Sequence, residues 1–254
     1  MKIFSSFFIS FLITFFFTPQ IKRYFSTKGI VDNPDFRSQH SKPIVRVGGI
    51  SIYASLILTF LIVYFFGIFD SNGILGLSLI FATIVAGSFF FLIGLIDDLK
   101  NLSPFIRLFL QFSVASFLYA ANIRIDIIHL PFLNNVDLPN ILSYLISILW
   151  IVGITNAINW LDGLDGLTAG TVFIYSLGLT TLNIFREGYL LAIFSSIVAG
   201  SCLAFLKYNK YPAKIIMGDS GSNLLGFTLS ILTIYSFKNV DSSINLHLAF
   251  ILLC

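Results

Sequence analysis

Charge is scarce in this sequence: Asp, Glu, Lys and Arg make up 11% of its 254 residues, where a soluble domain carries about a quarter. That scarcity excludes an ordinary soluble globular domain. Cysteine is nearly absent, and Cys202 and Cys254 lie in apolar runs that offer neither a disulfide framework nor metal-site spacing. No basic stripe interleaved with aromatics is present, so nucleic acid is not an expected partner. No internal repeat of useful period is visible, which argues against an inverted-repeat transporter. The first apolar run, residues 3–21, lacks a small-x-small cleavage site and is followed directly by Lys22 and Arg23. It reads as an uncleaved span rather than a signal peptide.

Apolar side chains fill the space that charge leaves. The chain is 57% hydrophobic, with a mean hydropathy of +0.92. A membrane span needs about 20 mostly apolar residues. Such runs fall near 3–21, 48–69, 74–96, 105–121, 141–158, 167–185, 189–206 and 222–237. The run from His247 to Cys254 opens a ninth span and stops inside it, since so short a helix rises only about 12 Å against about 30 Å of hydrocarbon. The expected fold is all-α: a polytopic integral membrane protein with about eight complete transmembrane helices plus a truncated ninth, in one domain over 1–254. The 29 Phe and 10 Tyr suit lipid-facing and interfacial surface. Residues 122–140 read as a short surface hairpin, with His129 a solvated loop residue.

Orientation follows from the basic residues. Eleven Lys and Arg, from Lys22 to Lys214, fall on one side, against Lys2, Arg124, Arg186 and Lys238 on the other. The positive-inside rule places the eleven in the cytoplasm and the N-terminus outside. The same alternation sends Asp97, Asp98, Asp162, Asp165 and Asp219 to the cytoplasmic face, although the count never uses them.

Those acids carry the chemistry. The stretch Asn156 to Thr168 reads N-A-I-N-W-L-D-G-L-D-G-L-T. At helical spacing Asn159, Asp162 and Asp165 lie on one stripe, while the two Asp-Gly steps are turn signals that break the helix there. Two Asx-turns are the structural alternative. Asp97 and Asp98 close the third span, at the unfavourable end of the helix dipole and beside each other. That placement predicts a metal site or a general base. Asp219 opens the eighth span within M-G-D-S-G-S; either Asp219 or Ser220 would serve as an N-cap. A glycine-bounded helix N-terminus also binds phosphate on free N–H groups. Carboxylates from three loops, such donors and flanking lysines together predict Mg²⁺-assisted phosphoryl transfer at the membrane surface.

Four ordered blocks then carry a resemblance: V-D-N-P-D-F-R-S-Q-H-S-K-P-I-V-R-V-G-G (31–49), G-L-I-D-D (94–98), N-A-I-N-W-L-D-G-L-D-G-L (156–167) and N-K-Y-P-A-K-I-I-M-G-D-S-G-S-N-L-L-G (209–226). The chain resembles the polyprenyl-phosphate N-acetylhexosamine-1-phosphate transferases of glycosyltransferase family 4. That group includes phospho-MurNAc-pentapeptide translocase and the GlcNAc-1-phosphate transferases of O-antigen and teichoic-acid synthesis. The first block looks more like the GlcNAc-1-phosphate transferases.

The resemblance implies a multi-pass enzyme of the inner (plasma) membrane that uses Mg²⁺, with Mn²⁺ as a substitute. Such an enzyme joins the sugar 1-phosphate of a UDP-N-acetylhexosamine to polyprenyl phosphate and releases UMP. A homodimer is compatible with it. By motif position Asp219 is the principal metal ligand, with Asn159 beside it. Asp97 is base or orienting group for the lipid phosphate, and Asp98 adjoins it. Asp162 lines the diphosphate and metal region. Asn156 and Gly221 contact substrate, Asp165 and Asn209 face the nucleoside, and His40 is the first-loop catalytic histidine. Members of the group continue to a last cytoplasmic loop with a histidine cluster and a final span. The expectation is therefore a C-terminally incomplete chain. Ile216 stands where some members have an aromatic. The competing expectations are an inactive truncated paralogue that binds assembly proteins and an ion-coupled transporter.

Overall fold

The computed structural model describes residues 1–32, 43–66, 77–128 and 136–238. Within them lie eight helices: α1 (Lys2–Thr27), α2 (Gly49–Phe65), α3 (Leu77–Lys100), α4 (Pro104–Ala120), α5 (Asn140–Leu161), α6 (Leu167–Phe185), α7 (Tyr189–Asn209) and α8 (Gly218–Lys238). They stand on the eight apolar runs. Five of them (α1, α3, α5, α6 and α7) are long and apolar enough to cross a membrane, whereas α2 and α4 are apolar but 17 residues long. This is the build of a multi-pass membrane protein. The ninth run, His40 and His129 lie outside the described residues. Between α4 and α5 the expected hairpin forms from β1 (Ile127–Ile128) and β2 (Val136–Asp137), paired antiparallel.

Helix ends follow local chemistry. Helix α1 runs past its apolar stretch through Lys22 and Arg23, because neither residue opposes a helix once it leaves the apolar layer. It stops where Gly29 takes φ +71° and the Ile30 N–H returns to the Phe25 carbonyl at 3.1 Å, a left-handed glycine closure. Helix α3 carries Asp97 and Asp98 in its last turn and ends at Asn101, φ +51°. Helix α4 opens on Ser103, whose hydroxyl accepts from Ile106 N–H, with Pro104 in the first turn.

Helix α8 is the centre of the bundle and packs against α2, α3, α5, α6 and α7. Almost all of it is buried, on every face. Two glycines outside α8 make this possible. A Cβ on Gly94 of α3 would fall on the backbone of Asp219 and Ser220, and one on Gly49 of α2 on the backbone of Gly221. The first turn of α8 is therefore held by direct backbone contact with two neighbours. Helix α1 joins the bundle through a polar seam: Ser10 donates to the Ile197 carbonyl at 2.6 Å, Thr14 pairs with Ser201 at 2.9 Å, and Thr18 donates to Ser51 at 3.0 Å. Small hydroxylated residues let helices approach and bond where lipid offers no hydrophobic drive. The aromatics divide. Phe4, Phe16, Phe105 and Phe109 face outward as expected, but Phe90, Phe205 and Phe227 fill the core.

Candidate active site

Four segments meet at the N-terminus of α8. The strand-like stretch before α2 lies alongside its approach: Ile216 N–H donates to Val45 C=O at 2.9 Å, and Gly48 and Gly49 N–H donate to Ile216 and Met217 C=O at 3.0 and 2.8 Å. This pairing brings Arg46 over the site. The last turn of α3 brings Asp97 and Asp98, the end of α5 brings Asn159 and Asp162, and α4 brings Arg107.

The opening of α8 leaves backbone N–H groups without intrahelical partners. Carboxylates from elsewhere take three of them. Asp162 Oδ2 accepts from Gly218 N–H at 3.1 Å; Asp98 accepts from Asp219 N–H at 2.7 Å and Ser220 N–H at 2.9 Å. The Asp98 side chain is fully buried in this role. Two expectations are corrected here. Neither Asp219 nor Ser220 caps α8; Asp98 does, from 121 residues away. The N–H groups of 218–220 are not free for a substrate phosphate, because protein oxygens already hold them. The dipole conflict at the end of α3 resolves in the same contact: the Asp98 charge sits on the positive end of α8.

Capping in trans leaves the Asp219 carboxylate free for other partners. Asn159 Nδ2 donates to its Oδ1 at 2.8 Å and to Ser222 Oγ at 2.8 Å. Arg46 lies 3.8 Å from Oδ1, and Arg107 Nη1 lies 3.7 Å from Oδ2. The same Arg107 nitrogen donates to Asp97 Oδ2 at 2.9 Å, while Asp97 Oδ1 accepts from Leu102 N–H at 2.7 Å. Asp97 and Asp219 thus face one another across a guanidinium. Desolvation, then the charges of Asp219 and Asp98, push the Asp162 carboxyl well above the usual carboxylate range, against the opposing pull of Arg46. Burial pulls the Arg46 guanidinium down, but Asp219, Asp98 and further carboxylates outweigh it and leave it raised, hence charged.

The Asn156–Thr168 stretch breaks as its glycines indicate. Helix α5 ends at Leu161, and Gly166 takes φ +76° before α6. The common stripe of Asn159, Asp162 and Asp165 does not survive that break. Asp165 turns away to accept from Ala213 N–H at 2.9 Å, and Asn209 accepts from Gly166 N–H at 3.1 Å and donates to Ile215 C=O at 3.1 Å. These two lock the break against the loop before α8. Asn209 is 3% exposed. Asn156 points along α5 into the bundle, where its amide donates to Val152 C=O and Gln111 Oε1. Gly221 is buried against Gly49. In the structure Asp98, Asp165, Asn156, Asn209 and Gly221 hold the site together, and Asp219, Asp97, Asp162 and Asn159 face its charged centre. Sequence reasoning missed Arg46 and Arg107, which served there only as orientation charges. The signal for Arg46 was its place inside the V-R-V-G-G block; Arg107 has no local signal.

Residues 80–237 match the family profile described as Glycosyl transferase family 4. The chain belongs to this family. Among its relatives, a probable undecaprenyl-phosphate N-acetylglucosaminyl 1-phosphate transferase of Bacillus subtilis (strain 168) is 35% identical over 243 residues, covering 94% of this chain and 64% of that one. A decaprenyl-phosphate N-acetylglucosaminephosphotransferase of Mycolicibacterium smegmatis is 33% identical over 233 residues, covering 86% of this chain and 56% of the relative. A phospho-N-acetylmuramoyl-pentapeptide-transferase of Caldicellulosiruptor bescii is 36% identical over 233 residues, covering 86% and 69%. Against the first two, the glycosyl transferase family 4 chain described here spans 64% and 56% of their length. The family profile takes in the acidic pair of α3, the broken stretch after α5 and the opening of α8, so it covers the carboxylates of the site.

Proposed function

We propose that this family 4 chain transfers a sugar 1-phosphate, an N-acetylhexosamine and foremost GlcNAc, from a UDP-sugar to polyprenyl phosphate, releasing UMP. The observation that carries this reading is the pairing of Asp97 and Asp219 with Arg46 and Arg107 around one point at the start of α8. It is joined by kinship to proteins named as N-acetylglucosamine phosphotransferases acting on polyprenyl phosphate. An oxygen of the lipid phosphate attacks the phosphorus bearing the sugar. A new P–O bond forms, the bond from that phosphorus to the bridging oxygen breaks, and UMP leaves with the oxygen. Arg46 and Arg107 meet the negative charge of the diphosphate. Asp97, both of whose oxygens are engaged, suits an orienting role toward Arg107 better than that of a base. Holding both substrates at one face supplies much of the rate by proximity.

Mg²⁺ is part of the proposal. Among the described residues no three His, Cys, Asp or Glu side chains form a metal cage, but Mg²⁺ needs only one or two carboxylates beside water and phosphate oxygens. The donor set fits: Asp219 is a hard oxygen donor whose carboxylate already lies against positive groups, Arg46 and Arg107. Asp219, with Asn159 beside it, would hold the ion, which would neutralise charge on the diphosphate. A transporter would place its acids in mid-span, whereas these lie at the ends of α3 and α5 and the start of α8.

Purified protein given polyprenyl phosphate and a panel of labelled UDP-sugars should yield lipid-linked sugar phosphate and UMP in equal amounts. A folded protein that forms no lipid product with any donor refutes the reading. The site is proposed to face the cytoplasm. In a background without Cys202 and Cys254, a cysteine at Lys214 should be blocked only by membrane-permeant reagents in intact cells, and one at Glu187 by impermeant reagents. The reverse pattern would invert the orientation.

A further inference from the structure

One turn below the charged centre lies a second polar layer in which the transfer reaction has no evident use. Each of three helices contributes one residue to each layer. Helix α8 carries Asp219 and Asn223, α4 carries Arg107 and Gln111, and α5, running the opposite way, carries Asn159 and Asn156. The spacings of four, four and three residues put each pair on one helix face. In the deeper layer Asn156 Nδ2 donates to Gln111 Oε1 at 2.7 Å, and Gln111 Nε2 donates to Asn223 Oδ1 at 3.3 Å. Gln111 and Asn223 are both fully buried, and Asn223 Nδ2 has no protein partner. Buried amides are costly unless bonded, so this layer strongly prefers one register of the three helices.

The helix contacts show why that register matters. Helix α4 packs on α3 and α5, while α8 packs on α3 and α5 from elsewhere in the bundle. Long side chains carry α4 to α8: Arg107 to Asp219 in the upper layer and Gln111 to Asn223 in the lower. Arg107 ties α4 to α3 through Asp97 at 2.9 Å but reaches Asp219 only at 3.7 Å with the same Nη1, so it does not by itself fix α4 against α8. We propose that Gln111 is a positioning residue: by tying α5 at Asn156 to α8 at Asn223, it sets the depth of α4 and so places Arg107 between Asp97 and Asp219. This assignment rests on the reading of that centre as the site of transfer.

The test compares three variants with wild type in detergent or nanodiscs. Gln111→Met keeps length and apolar bulk but removes both hydrogen bonds. It should lower kcat by about 10- to 100-fold, the scale of a displacement near 1 Å, with KM for the UDP-sugar little changed. Gln111→Glu is the conservative rescue. In its buried, neutral form the carboxyl keeps one acceptor for Asn156 and one O–H donor for Asn223, so it should retain most activity at low pH. Activity should fall as pH rises and the carboxyl ionises. Asn223→Leu should lose no further activity when combined with Gln111→Met, because the two residues act through one bond.

A readout independent of turnover accompanies these. Spin labels at Phe109 on α4 and Trp160 on α5, both outward-facing, should give a shifted or broadened distance distribution in Gln111→Met and a wild-type distribution in Gln111→Glu at low pH. If wild type transfers no sugar phosphate, the functional reading fails, yet the spin-label distances still decide whether Gln111 sets α4. Unchanged distances in Gln111→Met overturn the proposal. So does wild-type turnover, or a loss of turnover confined to KM.

Discussion

Asp219→Asn is expected to abolish nearly all sugar-phosphate transfer while the helix bundle stays folded. Asp219 is the acid of α8 that its own helix does not need: the N–H groups that it might have capped are held by Asp98 and Asp162. Its partners are instead the amide of Asn159 and two arginines at ion-pair distance. An Asn there keeps an oxygen for Asn159 and relieves the repulsion from Asp97, so thermal stability should change little. The loss falls on the charge that orders the arginines and, in the proposed mechanism, the metal. Removing one such electrostatic group from a preorganised site lowers kcat by about 100- to 1,000-fold. The measurement is transfer rate against Mg²⁺ concentration, with thermal unfolding in parallel. Near-normal turnover with an unchanged Mg²⁺ optimum would take Asp219 out of the chemistry.

Asp98→Ala should fail differently, by loosening the site itself. Its carboxylate is fully buried and accepts two backbone hydrogen bonds, at 2.7 and 2.9 Å. Removing it orphans two buried N–H groups at about 1–3 kcal/mol each. It also strips the balancing negative charge from the start of α8. Asp98→Ala should therefore lower the unfolding midpoint and lose transfer together. Asp98→Asn, which retains one acceptor oxygen, should fall between Asp98→Ala and wild type in stability. A wild-type midpoint in Asp98→Ala, with activity lost, would mean that Asp98 acts in the chemistry rather than as the cap. Asp219→Asn and Asp98→Ala thus carry opposite expectations for stability, although both acids meet at the first turn of α8.

Much of the scaffold is legible in the chain itself. The apolar runs locate the eight helices of the described residues because each must hide its backbone polar groups internally. The break after Leu161 is announced by the two Asp-Gly steps, and Gly166 there takes a positive φ that few other residues adopt. The pairing of β1 with β2 matches the short hairpin expected between the fourth and fifth spans. Boundaries were less legible. Helix α1 extends to Thr27 and α3 to Lys100, since residues outside the apolar layer continue a helix until a turn residue stops it.

By itself, the sequence determined the class of the protein, the order of its helices and the blocks whose acids gather at one end of the bundle; composition, periodicity and glycine placement suffice for those. Only the tertiary structure decided which acid does what. Asp98, Asp162, Asp165 and Asp219 are all Asp beside or near glycine, and no local pattern separates them. What separates them is the partner each meets across 48 to 121 residues of chain: an N–H of α8 for Asp98 and Asp162, the loop at Ala213 for Asp165, and Asn159 for Asp219. Arg107 and Gln111 likewise gain their roles only when α4 packs within side-chain reach of α8. A carboxylate's function depends on whether its oxygens are already bonded, and that is a property of neighbours the folded chain supplies.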